Sequence, residues 1–217
     1  MSLGCAKKIE PATLRSADTT TVAADSSRFT DPSIVILGTS LTAGFGLQDP
    51  EQAYPAVLQR IIDSAGYHYH VINAGVSGES SAGALRRIAW VLSKPPAVLI
   101  IETGANDGLR GQSPDSLRQN IEEIVDSARR LAPGAAVVLA GMEALPNLGA
   151  DYARKFHAVY PALATADHLP LIPFLLLNVA GVDSLNQADG IHPNPAGAVI
   201  VAHTVWNVIR PLLGSAQ

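Results

Sequence analysis

Cysteine, aromatic side chains and charge are all scarce in this sequence, and each shortage excludes something. Cys5 is the one cysteine among 217 residues, so no disulfide framework can form within the chain. Charged residues make up 16% and the formal net charge is -4, with no basic cluster, which argues against a nucleic-acid partner. No apolar run reaches the roughly 18 to 20 residues that span a bilayer. The longest stretches, 135–145 and 169–182, are too short or carry proline. Metal-ligand spacings, a phosphate-binding glycine loop and a Gly-x-Ser-x-Gly elbow are also missing. Metallohydrolase and ordinary α/β-hydrolase chemistry therefore lose support, and no metal or other cofactor is expected.

Apolar residues, by contrast, are plentiful at 47%, and a chain of this length can bury a sizeable core. Residues 1–30 stand apart. The stretch from Ser16 to Ser27 is small and polar with no apolar period, and reads as a tether or disordered lead-in to a domain over 31–217. Cys5 follows Leu3-Gly4, as the lipidated cysteine of a bacterial lipoprotein follows its signal. The charged and apolar parts of such a signal are missing here, so the expectation is a chain that begins within or just after a removed one. On that reading the protein belongs in the bacterial cell envelope or periplasm, or is secreted.

From Ser33 onward short β-branched runs alternate with helical patterns. Ile34–Leu37, His70–Asn73, Val98–Ile101, Val137–Ala140 and Leu171–Phe174 read as strands buried on both faces, the last an edge or irregular strand because of Pro173. Ser113-Pro114 caps a helix whose Leu117, Ile121, Ile124, Val125, Ala128 and Leu131 recur at helical spacing up to Pro133-Gly134. Residues 51–65, 81–92 and 194–213 are further helices. The alternation predicts a three-layer α/β/α sandwich on a five-stranded parallel sheet of flavodoxin-like order.

In such a sheet ligands gather beyond the carboxyl ends of the strands, so the residues after each run matter most. After the first comes Gly38-Thr39-Ser40-Leu41-Thr42-Ala43-Gly44, a sharp strand-to-helix turn that presents the Ser40 hydroxyl at a helix N-terminus. Taken alone, Ser40 reads as an ordinary N-cap. After the second, the glycines around Ser77-Gly78 can aim backbone N–H groups at an oxyanion, or simply form a turn. After the third, Asn106 offers an amide donor within an Asn-Asp-Gly turn signal. Asp189-Gly190-Ile191-His192 places a carboxylate and an imidazole three residues apart, able to fix one tautomer and free the other nitrogen as a base. Jointly these are the parts of acyl transfer: nucleophile, base, orienting carboxylate and oxyanion donors. His68, His70, His157, His168 and His203 have no acidic partner in a motif and read as surface or core residues.

These blocks resemble those of the GDSL, or SGNH, hydrolases, named for a Ser, a Gly, an Asn and a His. Ile36-Leu-Gly-Thr-Ser-Leu41, Ser77-Gly78-Glu79, Asn106-Asp-Gly-Leu-Arg-Gly111 and Asp189-Gly-Ile-His-Pro-Asn194 carry the likeness. With Tyr160-Pro-Ala-Leu163, it is closest to the bacterial multifunctional thioesterase, protease and lysophospholipase subgroup, and it runs from about Ile34 to Leu213. The resemblance implies Ser40, Asp189 and His192 as a catalytic triad. It implies an oxyanion hole from Ser40, Gly78 and Asn106, and small acyl esters, aryl esters, thioesters or lysophospholipids as substrates. One position departs: the Asp that usually precedes the nucleophile is Thr39. An acyl groove is expected from Leu109, Leu145 and Leu148, with Leu175–Leu177 as a second wall. A carbohydrate O-acetylesterase is the rival enzyme and would show a short polar pocket instead. A non-catalytic binding protein on the same scaffold is the rival from another class.

Overall fold

The computed structural model describes Met1 and residues 31–214. The expected tether and Cys5 lie outside the described residues. Five parallel strands, β1 (Ser33–Gly38), β2 (His70–Gly75), β3 (Val98–Glu102), β4 (Ala136–Ala140) and β5 (Leu171–Ile172), form one sheet in the order β2-β1-β3-β4-β5. That is the flavodoxin-like order the alternation predicted. Among the described residues seven α-helices accompany them: α1 (Ser40–Ala43), α2 (Tyr54–Ser64), α3 (Ser81–Val91), α4 (Ala105–Leu109), α5 (Pro114–Leu131), α6 (Ala150–Asp167) and α7 (Pro195–Ile209). On one side α3 packs on α5 and α5 on α6; on the other α2 packs on α7. The result is a three-layer α/β/α sandwich.

The central strands carry the core. Ile34, Ile36 and Leu37 of β1 and Leu99, Ile100 and Ile101 of β3 are fully buried, each contributing about 1.5–3 kcal/mol through removal from water. On α5, Leu117, Ile121, Ile124, Val125 and Ala128 are buried as their spacing requires, while Leu131 in the last turn is exposed. β2 departs from the expectation of burial on both faces. Among the described strands it pairs with β1 alone and lies at the edge, and Ile72 and Asn73 are exposed. β5 is the other edge and stops at Ile172, because Pro173 has no N–H to continue the ladder. α6 is the helix that the sequence pattern least announces, since Pro161 lies inside it. Phe156, Tyr160 and Leu163 hold it to the core. No helix among the described residues is long and apolar enough to cross a membrane.

Candidate active site

Parallel pairing brings the ends of β1, β2, β3 and β4 to one edge, and the segments that follow them converge there. Gly38 closes β1, where a Cβ would collide with the Thr42 side chain, so only glycine lets the chain turn back over itself into α1. Ser40 is the first residue of α1. Its Oγ lies 2.9 Å from His192 Nε2, across 152 residues of sequence. His192 Nδ1 lies 2.7 Å from Asp189 Oδ2, while Asp189 Oδ1 accepts the backbone N–H of Ile191 (3.0 Å) and of His192 (3.1 Å). One carboxylate thus fixes both the loop and the ring. Its slight burial would raise its pKa, but the His192 ring and the two backbone donors outweigh that and hold it at about 2. Asp189 is therefore ionised at any pH near neutrality and can stabilise a charged imidazole. The Phe45 ring covers the His192 ring at 5.0 Å between centroids.

Gln187 ties this loop to the opposite side of the site. Its side chain donates to Phe45 O (2.8 Å) and Pro193 O (3.0 Å), and its backbone N–H to His192 O (2.8 Å). Asn194 caps α7 by accepting the N–H groups of Ala196 and Gly197.

Ser40, Gly78, Asn106 and His192 line one cavity of about 620 Å³. Gly78 has φ +78°, the left-handed region, at the third position of a turn closed by Glu79 N–H to Val76 O (3.2 Å). Asn106 lies on α4, which is anchored by its neighbour. Asp107 is buried and accepts from Ser81 N–H (2.8 Å) and Ser81 Oγ (2.5 Å), joining α4 to the start of α3. The remaining walls are mainly apolar, with Phe45, Leu109, Met142, Leu145, Phe174 and Ile191 among them. Of the residues expected to form a groove, Leu109 and Leu145 lie in this lining and Leu148 does not. Of the second wall, Leu176 lines it, Leu175 is buried in the core and Leu177 is exposed.

The departure at position 39 has a local counterpart that the sequence did not reveal. Thr39 donates its N–H to Glu102 Oε2 (2.6 Å) and its hydroxyl to Glu102 Oε1 (2.8 Å), and Thr42 donates to Glu102 Oε2 (2.8 Å). Glu102 ends β3, fully buried under the turn that bears Ser40. Burial pushes its carboxyl up to about 7, despite the opposing hydrogen bonds from Thr39 and Thr42. Arg87 was missed too. It pairs with the Glu79 carboxylate (Nη2 to Oε2 2.7 Å) and donates to Ala74 O (2.8 Å) and Gly38 O (3.2 Å), fastening the Gly78 turn to the ends of β1 and β2. His157, which has no acidic partner in a motif, is exposed and lies 2.6 Å from the carboxylate of Glu143, which lines the cavity; the two come from different elements, so no motif announced the pair. Among the described residues no group of three or more His, Cys, Asp or Glu side chains is arranged to hold a metal ion.

The chain is similar to known proteins in sequence and in fold. The model of the GDSL-like Lipase/Acylhydrolase family matches residues 36–200. The chain is 42% identical over 181 residues to Esterase TesA of Pseudomonas aeruginosa, covering 83% of this chain and 89% of that protein. It is 33% identical to Thioesterase 1/protease 1/lysophospholipase L1 of Escherichia coli, over 83% of this chain and 84% of the relative. Among solved structures, the psychrotrophic esterase EstA from Pseudoalteromonas, inhibited by monoethylphosphonate, superposes with a TM-score of 0.78 at 32% identity, covering 83% of this chain and 98% of that one. By fold, by the breadth of the family match and by these identities, the chain belongs to the GDSL-like lipase/acylhydrolase family.

Proposed function

We propose that the chain is a serine esterase that hydrolyses carboxylic esters and thioesters through an acyl-enzyme on Ser40. The observation that carries this reading is the continuous hydrogen-bonded series Ser40–His192–Asp189, at 2.9 and 2.7 Å, opening into a largely apolar cavity. Asp189 holds His192 with Nδ1–H as donor, which leaves Nε2 to take the Ser40 proton as Oγ attacks the carbonyl carbon. The carbonyl oxygen becomes an oxyanion, received by the Ser40 and Gly78 N–H groups and the Asn106 amide. His192 then returns its proton to the leaving alcohol or thiol. Water then gives a proton to His192 as its oxygen attacks the acyl carbon, the bond from that carbon to Ser40 Oγ breaks, and His192 returns the proton to Oγ as the carboxylic acid departs.

Relatives named esterase and thioesterase/lysophospholipase support acyl esters, acyl thioesters and lysophospholipids as the substrate class. The apolar walls favour that class over short, polar O-acetyl sugars. The bacterial sources of the relatives accord with a place in the bacterial cell envelope. A fluorophosphonate probe should label the chain, and Ser40→Ala should abolish both labelling and hydrolysis of p-nitrophenyl esters. Labelling that persists at another residue in Ser40→Ala would refute the assignment.

A further inference from the structure

Two donors of the proposed oxyanion hole, Gly78 and Asn106, come from different segments, and one side chain spans them. Arg110 is the C-cap residue that follows α4. Its backbone N–H donates to Asn106 O at 3.2 Å, and its guanidinium Nη2 donates to Gly78 O at 2.8 Å. The link matters because of the form of the Gly78 turn. A positive φ at the third position defines a turn whose central peptide, here 77–78, carries the Gly78 N–H. Rotation of that peptide would re-aim the Gly78 N–H relative to the cavity that Gly78 lines. The Gly78 carbonyl that Arg110 holds belongs to the next peptide, 78–79, whose N–H closes the turn on Val76 O at 3.2 Å, and Arg87 fastens Glu79; Arg110 thus secures the far side of Gly78, against which the 77–78 peptide is set.

We propose that Arg110 is a positioning residue for acyl transfer, fixing the Gly78 N–H relative to the Asn106 amide so that both meet the same oxyanion. This rests on the esterase reading above. Because Arg110 is exposed and holds a single carbonyl, its removal leaves the core and the Arg87–Glu79 pair untouched. The consequence falls on the transition state, where misplacement by about 1 Å costs up to 100-fold.

The test uses p-nitrophenyl acetate, which is neutral and too short to engage the groove. Arg110→Ala should lower kcat by about 10- to 100-fold with KM changed less than about threefold, since the oxyanion that the Gly78 N–H meets develops only in the transition state. Its thermal midpoint should match the parent. Arg110→Lys keeps one cationic donor for one carbonyl and should recover most of the loss. Millimolar guanidinium ion should restore part of the activity of Arg110→Ala, whereas potassium at equal ionic strength should not. A kcat for Arg110→Ala within about threefold of the parent, or a loss confined to KM, would overturn the proposal. So would Arg110→Lys and guanidinium both failing to restore kcat, which would mark the loss as a general disturbance. The esterase reading is judged apart, by whether Ser40→Ala abolishes turnover, so the two can fail separately.

Discussion

Glu102 and Asp189 are two carboxylates in one site with opposite environments. Asp189 accepts three N–H donors and is held at about 2; Glu102 is fully buried and rises to about 7. For Glu102 the folded value lies above the unfolded one of about 4.5, so the folded state binds the proton more tightly. Its protonation therefore favours folding below the lower value, and that contribution is lost as pH rises towards 7 and above. Glu102→Gln imitates the protonated form, accepting from Thr39 N–H and donating to the Thr39 hydroxyl. The variant should flatten the fall in stability between about pH 5 and 8, measured by thermal melts across that range; a slope equal to the parent's would count against the buried charge. Asn106→Ala removes one oxyanion donor and should lower kcat by about 100- to 1,000-fold, read by steady-state kinetics on a short ester. The Asp–His pair was legible because its members are three residues apart on one loop. Glu102 was not, since its partners lie 63 and 60 residues away and nothing in a strand's last residue announces what it will face.

At the scale of elements, the boundaries marked by local chemistry were readable. Ser113 caps α5 and accepts from Asp115 N–H, as the Ser-Pro pair indicates, and Asn194 caps α7 at the start expected for that helix. Asn194 also braces the catalytic loop. Its Nδ2 donates to Ser184 O (2.9 Å) and Asn186 O (3.3 Å), holding the chain on both sides of His192. Asn194→Ala should cost about 1–2 kcal/mol of stability through the lost cap, and should lower kcat as the His192 loop loosens. Asn194→Asp keeps the cap acceptor but turns a carboxylate oxygen towards Ser184 O and Asn186 O, so it should recover only part of the stability; denaturant unfolding of the two variants checks this. α6 was hidden because Pro161 interrupts its pattern, and tertiary contacts through Phe156 and Tyr160 override that local preference. β2 was over-read for the converse reason: a β-branched run reports strand propensity, whereas the edge position that exposes it is a property of the sheet.

For the molecule as a whole, the cavity lies where loops after β1, β2, β3, β4 and β5 and the loop before α7 meet. Leu109 and Leu145 belong to its apolar wall. Changing either to Asn should impair long-chain p-nitrophenyl esters more than the acetate, because each methylene withdrawn from water contributes about 0.8 kcal/mol only where an acyl chain reaches that wall. Equal losses across acetate, octanoate and palmitate would contradict a groove there. The alternation of strands and helices, hence the layered parallel sheet, and the residue types that follow each strand are written in the order of amino acids alone, because these depend on local periodicity and neighbours. Folding in three dimensions is what makes Ser40 meet His192, sets Glu102 beneath the nucleophile turn, and lets Arg87, Arg110 and Gln187 lash separate loops together. Such contacts join residues far apart in the chain, and their free energy exists only once the sheet has brought the strand ends to a common edge.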